Sequence, residues 1–499
     1  MNILGISAGF HDAAATLIKD EEIIFAGHAE RYSKRKHDSR LNSELIQDAI
    51  KDHIPDMIAY YERPWVKKAR QIYAGQWGDL YRGWSAKYYL KYVAPELLHL
   101  PIKTYNHHKS HAAAGFQTSP FQTATVVVID AIGEWDTISI WSASYDKKGY
   151  AKYDQVWRQV YPHSIGLMYS AFTKEVGLKP LDEEYILMGM SAYGNGYKHL
   201  RELREWLIQD EMTLSFKHNL HLGLPSEYLN NPEDQDRYDV AAAAQTIVED
   251  LIYSVMTKAR SERYNLSSNL VYMGGVALNC LANRDLGEYF DNMWIMPNPG
   301  DAGSSLGAAA LAYGKQLHWQ DAYLGHNIPG PYPVQDIISE LITNKIVGVA
   351  NGRAEFGPRA LGNRSLLADP RGYEIKDKVN EIKRRQKFRP FAPVILEEYA
   401  NEYFVMPKGF ESSPYMQAVA MCSRPTEFPA IIHADGSSRV QTVSKDCKSG
   451  IRQLLEAWHV WTGCPMLLNT SLNIRGEPMV NDRVDADRFE NLYGIKVFS

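Results

Sequence analysis

Two stretches of the chain show the same alternation of short apolar runs and tight turns. The first begins with NILGIS at Asn2–Ser7, turns at residues 9–12, returns at residues 13–18 and adds a third apolar run at residues 23–26. The second begins with TVVVID, which ends at Asp130, and continues through AIGEWD into TISIWSASY. Short apolar runs bounded by Gly and polar turn residues predict β-strands. We therefore expect two β-meanders and a duplicated α/β lobe.

Apolar residues at helical spacing are prominent in the rest of the first three hundred positions. Residues 241–263, AAAAQTIVEDLIYSVMTKARSER, predict an amphipathic helix, and residues 60–98 are helical in pattern and rich in Tyr and Trp. The aromatic segment is either ordinary helical packing or a covering subdomain that helps to shape a substrate pocket. Residues 210–236 are mostly polar and predict an inserted surface segment.

A Pro- and Gly-rich break, GHNIPGPYP at residues 325–333, separates two apolar regions and predicts a domain boundary. We expect one domain at residues 1–328, with the aromatic-rich helical insertion at about 60–98, and a second α/β domain at residues 334–499. A chain of 499 residues favours two or three domains, because single hydrophobic cores stop growing at roughly 250–300 residues.

The composition is that of an ordinary globular protein, with 45% hydrophobic and 23% charged residues. A net charge of −5 and the lack of a basic arm argue against general nucleic-acid binding. Cys280, Cys422, Cys447 and Cys464 lack paired spacing, which fits a reducing compartment. The first residues have no basic segment before their apolar part, and no apolar run reaches about 18 residues. We expect a soluble, cytoplasmic protein with no membrane partner.

The strongest candidate for chemistry is NHHKSHAAAGF, where His107 and His111 are four residues apart in a run that favours a helix. Both imidazoles then project from one helical face, as when a helix offers two nitrogens to one transition metal. Asp130 ends a buried-type β run, and Asp301 lies in the loop MPNPGDAG before a helix of small residues. The four side chains can complete a site for iron, manganese or zinc, which can hold a nucleotide phosphate. The alternative is that the two His are hydrogen-bonded polar groups without a ligand.

Two Gly residues and a further His are additional candidates. MGGVALNC places Gly274 and Gly275 between a strand and a helix start, where backbone can approach a ligand and a helix N-terminus favours phosphate. His11 lies in the first hairpin turn. There it is either structural or, opposite a metal–nucleotide site, a general base for an attacking hydroxyl.

The second domain concentrates cations beside Gly, Ser, Thr and Asn, mainly in GPRALGNRS, KRRQKFRPFAP and SSRVQT. Arg beside Gly and Ser hydroxyls can bind phosphate without a Walker loop. A solvated basic face is the alternative. Arg359, Arg389 and Arg439 adjoin Pro or small residues, which favours ordered binding of phosphate.

Taken together, these stretches resemble the NodU/CmcH family of O-carbamoyltransferases. The matching motifs are GISAGFHDAAA, HHKSHAAAGF, VVVIDAIGEWDT, SIGLMYSA, MGGVALNC, NPGDAGSSLGAA, EFGPRALGNRSLLADPR, KFRPFAPV, DGSSRVQTV and LLNTSLNIRGEP. They span nearly the whole chain in one order, and GPRALGNRS and FRPFAPV are very specific. The resemblance implies an N-terminal ASKHA domain, which is actin-like and duplicated, and a C-terminal YrdC-like α/β domain.

The resemblance also implies an activity. In such enzymes the YrdC-like domain converts carbamoyl phosphate and ATP into carbamoyladenylate. This intermediate passes to a metal site in the first domain, with Fe²⁺ or another divalent transition metal, where a hydroxyl of a small sugar-like or nucleoside-like acceptor attacks. Mg²⁺ is allowed as a further cofactor and a homodimer as an assembly. Two connected sites make physical sense, because a reactive mixed anhydride must be kept from water.

Carried over to this chain, the resemblance assigns roles to single residues. The metal ligands would be His107, His111, Asp130 and Asp301, with His11 as the base or orienting group. The nucleotide site of the first domain would be lined by Gly133, Gly274, Gly275 and Asn279. ATP and carbamoyl phosphate would be bound by Arg359, Lys383, Arg389, Arg439 and Ser471.

One motif departs from the family pattern. Where the family has a sequence similar to NDGEYKVMGLAPYG, this chain has LDEEYILMGMSAYG. Glu183 thus replaces a Gly, Ile186 a Lys and Ala192 a Pro. The loss of a cation, a flexible position and a rigid turn residue predicts a changed acceptor contact, with impaired catalysis as the alternative.

Three other functions stay open from the sequence. A threonylcarbamoyl-transfer protein acting on tRNA is disfavoured by the negative charge and the lack of a basic arm. An ASKHA kinase or ATPase needs neither the two-His, two-Asp set nor an Arg-rich second domain. A non-catalytic nucleotide-binding protein is disfavoured by the complete ligand set and by His11, although the altered motif permits it.

Overall fold

The computed structural model describes residues 1–78, 85–225, 228–229, 232–264 and 266–499. The chain divides into two compact units. Unit 1 comprises Met1–Ile58, Ala86–Ile102 and His318–Ser499, and unit 2 comprises Ala59–Ser85 and Lys103–Leu317.

Three sequence predictions concern these limits. The aromatic-rich segment 60–98 contributes to both units, and its residues 79–84 lie outside the described part. Four residues of the predicted polar segment, 226–227 and 230–231, also lie outside it. The domain boundary that we place between residues 328 and 334 stays a prediction.

The amino-terminal elements include the first predicted meander, formed by their first three strands. They are β1 (Asn2–Ser7), β2 (Ala14–Lys19), β3 (Glu22–His28), α1 (Ala29–Ser33), α2 (Ser43–Ile50), β4 (Met57–Tyr60), α3 (Pro64–Tyr73), α4 (Ala86–Leu90) and β5 (Ile102–Thr104). β1 pairs antiparallel with β2, and β2 with β3. The sheet has the order β3-β2-β1-β4-β5, and the limits between the units fall within β4 and β5.

Unit 2 contains the second meander. Its further elements are α5 (His107–Phe116), β6 (Thr123–Gly133), β7 (Asp136–Tyr145), β8 (Ala151–Val160), α6 (Ile165–Glu175), α7 (Glu184–Met190), α8 (Tyr197–Leu207), β9 (Ile208–Asp210), β10 (Ser215–Phe216), α9 (Asp234–Ala259), β11 (Asn269–Met273), α10 (Cys280–Asn283), β12 (Asn292–Trp294) and α11 (Ser304–Tyr313). The sheet has the order β12-β11-β6-β7-β8. β11 runs parallel to both β6 and β12.

The two five-stranded sheets have the same strand order. Each begins at one edge with the last strand of its meander, as β3-β2-β1-β4-β5 and as β8-β7-β6-β11-β12. In both, the first strand of the meander is central and two later strands continue the sheet. This confirms the predicted duplicated α/β architecture and agrees with an actin-like lobe.

The carboxy-terminal part of unit 1 is a second α/β assembly, as predicted. Its elements are β13 (Tyr323–Ile328), α12 (Val334–Asn344), β14 (Ile346–Ala350), β15 (Gly352–Glu355), β16 (Arg364–Ala368), α13 (Tyr373–Ile382), β17 (Ala392–Leu396), α14 (Ala400–Tyr403), β18 (Phe404–Val405), β19 (Val419–Cys422), β20 (Ser437–Arg439), β21 (Gln441–Val443), α15 (Ile451–Thr462), β22 (Met466–Ser471), α16 (Arg483–Tyr493) and β23 (Val497–Phe498). Six strands form a sheet in the order β21-β17-β22-β16-β14-β23.

That sheet is buried on both faces. Along β22, Met466 and Leu468 belong to one hydrophobic cluster and Leu467 to the other. β16 shows the same alternation, with Leu366 facing the first cluster and Leu367 the second. Because successive side chains of a strand point to opposite faces, a sheet covered on both sides needs continuous apolar runs.

Two predicted elements have different bounds in the structure. β6 continues past its predicted end at Asp130 to Gly133. Its parallel pairing with β11 stops at Val128, and its register with β7 shifts after Ile129. Asp130 therefore lies just beyond the parallel pair, at an irregularity that removes it from the ladder.

The predicted helix at residues 241–263 begins earlier, at Asp234. Glu233 and Asp236 form a capping box there, in which each side chain accepts a hydrogen bond from the other residue's backbone. Such a reciprocal cap satisfies amides that would otherwise lack partners, so the polar residues extend the helix.

Candidate metal centre

Helix α5 carries the two His of the candidate site. The side chain of Asn106 accepts a hydrogen bond from the Lys109 amide at 2.8 Å, so the helix begins at His107. His107 and His111 are buried, and their Nε2 atoms lie 3.1 Å apart. The helix and the shared face of the two rings agree with the sequence prediction.

Small residues bring α11 against α5. Gly307 packs so closely that an added Cβ would lie 1.8 Å from the carbonyl oxygen of Ser110. Asp301 begins the 3-10 turn that precedes α11. Its Oδ1 lies 3.2 Å from Nε2 of both His107 and His111. The runs SHAAAG and SSLGAAA thus have a structural purpose, since bulkier side chains would hold this carboxylate away.

Asp130 reaches the same point from β6. Its Oδ2 lies 3.3 Å from Nε2 of His107 and 3.6 Å from Nε2 of His111. Its Oδ1 accepts a hydrogen bond from the Gly275 amide at 3.3 Å. The preceding Gly274 has a φ of +91°, and an added Cβ would lie 2.1 Å from a carbonyl oxygen of β6. Only Gly fits this turn.

The four donor atoms fit a single metal ion. They all lie within 4.8 Å of one another, and the His–His and His–Asp pairs are separated by 3.1–3.6 Å. Ligands at roughly 2.1 Å from a metal lie roughly 3.0 Å apart at right angles and roughly 3.4 Å apart in a tetrahedron. The side chains therefore need little movement to converge on one ion. Two imidazoles and two carboxylates suit iron, manganese or zinc better than magnesium or calcium.

The outer nitrogens of the two His have different surroundings. Nδ1 of His111 lies 3.0 Å from the carbonyl oxygen of Pro299, to which only an N–H can donate. The lone pair of His111 is then on Nε2, which faces the centre. Nδ1 of His107 is buried and makes no hydrogen bond within the described ranges. An unsatisfied buried group of this kind costs about 1–3 kcal/mol.

Burial and the neighbouring charges act on the pKa values of the four side chains in opposite directions. Burial opposes ionisation of Asp130, but His107 and His111 outweigh it and hold its pKa well below the usual range. The pKa of Asp301 is lowered by the same balance. Burial disfavours a charged His107, yet Asp301 and Asp130 raise its pKa well above the ordinary value, and they raise the pKa of His111. The two carboxylates are thus negative and are stabilised by positive charge, which a bound cation would supply.

Three of the residues predicted to line a nucleotide in unit 2 lie against the centre, and the fourth does not contact its donors. Gly274 and Gly275 form the turn beside Asp130, and an added Cβ at Gly133 would lie 2.3 Å from Cδ2 of His107. Asn279 is buried, and its side-chain amide exchanges hydrogen bonds with Gln245 at 3.0 and 3.1 Å. Nucleotide binding by these residues stays a prediction.

His11 lies in the first hairpin turn, in unit 1. Its Nδ1 is 2.9 Å from Oδ2 of Asp12, and Nδ1 of His37 is 2.9 Å from Oδ1 of the same carboxylate. Burial opposes ionisation of Asp12, but the two His outweigh it and hold its pKa well below the usual range. Asp12, Glu30 and His37 also have donor atoms within 4.8 Å of one another. The carboxylate orients His11 as a base would require, and the catalytic role of His11 stays a prediction.

Lys383 and Ser471, two of the predicted phosphate-binding residues, are in direct contact. Nζ of Lys383 donates to the carbonyl oxygen of Ser471, and it lies 3.2 Å from the Ser471 hydroxyl and 2.9 and 3.0 Å from two oxygens of Asn473. Burial, with the charges of Arg385 and Arg389, holds the pKa of Lys383 well below its usual range. This is a buried amine whose ionisation is opposed by burial and by like charges.

Of the other predicted cations, Arg439 ends β20 and Arg389 lies between α13 and β17. Burial and the charges of Arg439, Lys376 and Arg389 lower the pKa of His433 to about 4. Arg359 lies half-buried in the loop between β15 and β16. The next residue of that loop accepts a hydrogen bond from Asn469 of β22 at 2.9 Å. The charge of Arg389 acts on both Lys383 and His433, and we call Lys383, Arg385, Arg389 and Arg439 the basic cluster. Phosphate binding by this cluster stays a prediction.

The altered motif LDEEYILMGMSAYG lies on and around α7. Ile186 is fully buried, and Glu183 accepts a hydrogen bond from the Lys179 amide at 3.0 Å. Ala192 lies in the 3-10 turn Ser191–Tyr193. Burial explains why an apolar residue stands at position 186 in this chain, and the effect on the acceptor stays a prediction.

Sequence reasoning missed the groups that support the four donors from outside. They are the amide of Gly275, which donates to Asp130, and the carbonyl of Pro299, which accepts from His111. Every residue but Pro has an amide and every residue has a carbonyl, so these two groups leave no signal in a sequence.

Comparisons with known proteins agree over most of the chain. A family model described as carbamoyltransferase N-terminus matches residues 51–310, and one described as carbamoyltransferase C-terminus matches residues 338–498. Uncharacterized protein sll1178 of Synechocystis is 33% identical, covering 98% of this chain and 94% of the relative. Nodulation protein NolNO of Sinorhizobium fredii is 31% identical, covering 95% of this chain and 76% of the relative. The crystal structure of HypF from T. kodakarensis covers 62% of this chain and 47% of its own, with 14% identity and a TM-score of 0.33.

Across the ranges that the structure describes, each helix is too short or too polar to cross a bilayer.

Proposed function

The chain belongs to the carbamoyltransferase family and is an enzyme of that class, and we propose that it is an ATP-dependent O-carbamoyltransferase. Its substrates would be carbamoyl phosphate, ATP and a hydroxyl of a small sugar-like or nucleoside-like metabolite. One observation carries the proposal. Two His and two Asp side chains, delivered by α5, β6 and the turn before α11, already lie at the separations of metal ligands.

The first step would activate the carbamoyl group in the carboxy-terminal region, residues 334–499. Water removes phosphate from carbamoyl phosphate, an oxygen of the resulting carbamate attacks the α-phosphorus of ATP, and pyrophosphate leaves. Arg359, Arg389 and Arg439 would neutralise the phosphates, with Mg²⁺ on ATP. Lys383 would hold Ser471 in place, since its Nζ already contacts that residue.

The second step would take place in the amino-terminal region, residues 1–328. The acceptor oxygen attacks the carbamoyl carbon of carbamoyladenylate, the bond to AMP breaks, and the hydroxyl proton passes to His11, which Asp12 orients. Gly133, Gly274, Gly275 and Asn279 would line the nucleotide. Iron or another divalent transition metal, held by His107, His111, Asp130 and Asp301, would supply positive charge to the phosphate of the intermediate.

The two steps can be tested separately. Purified protein is incubated with iron, ATP and carbamoyl phosphate without acceptor, and carbamoyladenylate and pyrophosphate are followed by mass spectrometry. We expect both products from the wild type and from His107→Ala, and neither from Arg389→Ala. Arg424→Ala is the matched control, because Arg424 is a half-exposed Arg that pairs with Glu402.

Failure would be equally informative. Folded wild-type protein that forms no intermediate with any divalent metal would contradict the proposal. Formation of the intermediate by Arg389→Ala at the wild-type rate would remove the basic cluster from the activation step.

A further inference from the structure

We propose that Glu62 is a positioning residue for the metal centre, and that its carboxylate accepts the Nδ1–H of His107. The inference rests on the proposed function, because it requires His107 to bind a metal through Nε2. It concerns a residue of unit 2 outside the four donors.

Glu62 is a buried carboxylate that faces His107. Its side chain is 4% exposed, and Oε2 lies 4.0 Å from Nδ1 of His107. Oε1 accepts hydrogen bonds from the Tyr60 hydroxyl at 3.2 Å and from Nζ of Lys67 at 2.9 Å. The two donors hold the carboxylate by one oxygen and leave the other directed at the imidazole.

The segment that carries Glu62 is fixed to α5. The hydroxyl of Ser110 donates to the carbonyl oxygen of Tyr61 at 2.9 Å. The ring centroids of Tyr61 and His107 lie 5.0 Å apart. Glu62 is therefore held beside the helix turn that bears His107.

The contrast between the two His points to the role. His111 has its outer nitrogen satisfied by Pro299, whereas the outer nitrogen of His107 is buried and lacks a hydrogen bond in the described structure. Metal-ligating His residues almost always donate their other N–H to a carboxylate, carbonyl or water. A charge-assisted hydrogen bond is roughly 2.7–2.9 Å long. The present distance of 4.0 Å between Oε2 of Glu62 and Nδ1 of His107 must therefore shorten, and we expect this to happen when His107 turns to bind the ion.

A competing explanation is that Glu62 only neutralises the partly buried cation of Lys67. The two roles predict different outcomes for Lys67→Met. If Glu62 acts on His107, Lys67→Met leaves Glu62 held by the Tyr60 hydroxyl and weakens metal binding less than Glu62→Gln does. If Glu62 acts only through Lys67, Lys67→Met and Glu62→Gln weaken metal binding equally.

The test measures metal binding rather than turnover. Zn²⁺ and Co²⁺ affinities are determined by competition with a chromophoric chelator, and the Co²⁺ absorption spectrum reports the ligand geometry. We expect Glu62→Gln to bind both metals about 10–100-fold more weakly, which is the usual effect of losing an outer partner. Lys67→Met should weaken binding by clearly less than Glu62→Gln, because the Tyr60 hydroxyl still holds the carboxylate. Asp239→Asn is the matched control, since Asp239 is a buried carboxylate of α9 that pairs with Lys198 at 3.1 Å.

Each outcome has a definite reading. Wild-type affinity in Glu62→Gln, or equal weakening by Lys67→Met, overturns the role of Glu62 and leaves the metal centre intact. A wild type that binds neither metal overturns the centre itself. If Glu62→Gln does not fold, nitrogen NMR of zinc-loaded wild type decides: a slowly exchanging Nδ1–H on His107 supports the inference, and a rapidly exchanging one overturns it.

Discussion

Two clusters of ionisable side chains in this protein, the candidate metal centre and the cations around Lys383, are built in opposite ways. In unit 2, two carboxylates lie 3.2–3.6 Å from two imidazoles in a buried site. In unit 1, Lys383 is buried, and the charges of Arg385 and Arg389 also act against its ionisation. The first cluster stabilises its own charges, and the second destabilises them.

This difference indicates what each cluster requires. Opposite charges at short range keep the metal-type centre assembled before any ion binds, so a cation has only to replace protons. Like charges raise the free energy of the basic cluster until an anion neutralises them. We therefore expect metal binding to change the first cluster little, and phosphate or ATP to stabilise the second strongly.

The largest expected effect is the loss of one donor. His107→Ala should weaken Zn²⁺ or Co²⁺ binding by more than about a hundredfold, because loss of even an outer partner of a ligand costs roughly 10–100-fold. Carbamoyl transfer should be lost as well. Chelator competition measures the affinity, and His108→Gln is the control on the same helix, since His108 bonds to Ser139. An unchanged affinity in His107→Ala would show that these residues do not bind the metal.

The basic cluster should depend on its buried amine. Lys383→Met removes a cation that contacts oxygens of Ser471 and Asn473, and hydrogen bonds from charged groups contribute about 1.5–3 kcal/mol each. We expect the rate of pyrophosphate release and the affinity for ATP, followed through the stabilisation that ATP gives, to fall by at least about tenfold. Metal affinity should be unchanged. Lys378→Met, an exposed position on α13, is the control. Normal ATP stabilisation in Lys383→Met would contradict the role.

His433 makes the stability of unit 1 depend on pH. Its folded-state pKa of about 4 lies below the ordinary value of 6.5. As the pH falls below 6.5, His433 becomes protonated in the unfolded chain but stays neutral in the folded chain. The free energy of unfolding therefore decreases until about pH 4. The full loss is up to about 3 kcal/mol. Urea unfolding at pH 7, 5.5 and 4 should show this slope in the wild type and a smaller one in His433→Gln; equal slopes would contradict it.

The smallest expected effect concerns the packing around the metal centre. Gly133→Ala would place a Cβ 2.3 Å from the His107 ring, and we expect metal affinity to fall about tenfold as the imidazole shifts. Gly189→Ala in α7 is the control, because an added Cβ there meets nothing within 4 Å. It should stabilise the protein by about 0.5–1 kcal/mol. Thermal unfolding measures the stability of each variant, and chelator competition measures its metal affinity. A wild-type metal affinity in Gly133→Ala would contradict the close packing.

Local patterns predicted much of the fold and part of the site. The alternation in NILGIS and TVVVID predicted β1 and β6, and the spacing of His107 and His111 predicted their common face on α5. The end of β6 was predicted too early, because β6 pairs with β7 again at Gly133, beyond the irregularity that follows Ile129. The capping box at Glu233 likewise extended α9 beyond its apolar pattern.

The sequence by itself determined the two meanders, the helix with two His on one face and the concentration of cations in the carboxy-terminal region. These are properties of neighbouring residues, and periodicity and composition express them directly. Only the tertiary structure decided that Asp130 and Asp301 meet those His, that the Gly275 amide and the Pro299 carbonyl support them, and that Glu62 faces His107. Such contacts join residues far apart in the chain and depend on how closely Gly307 lets α11 approach α5.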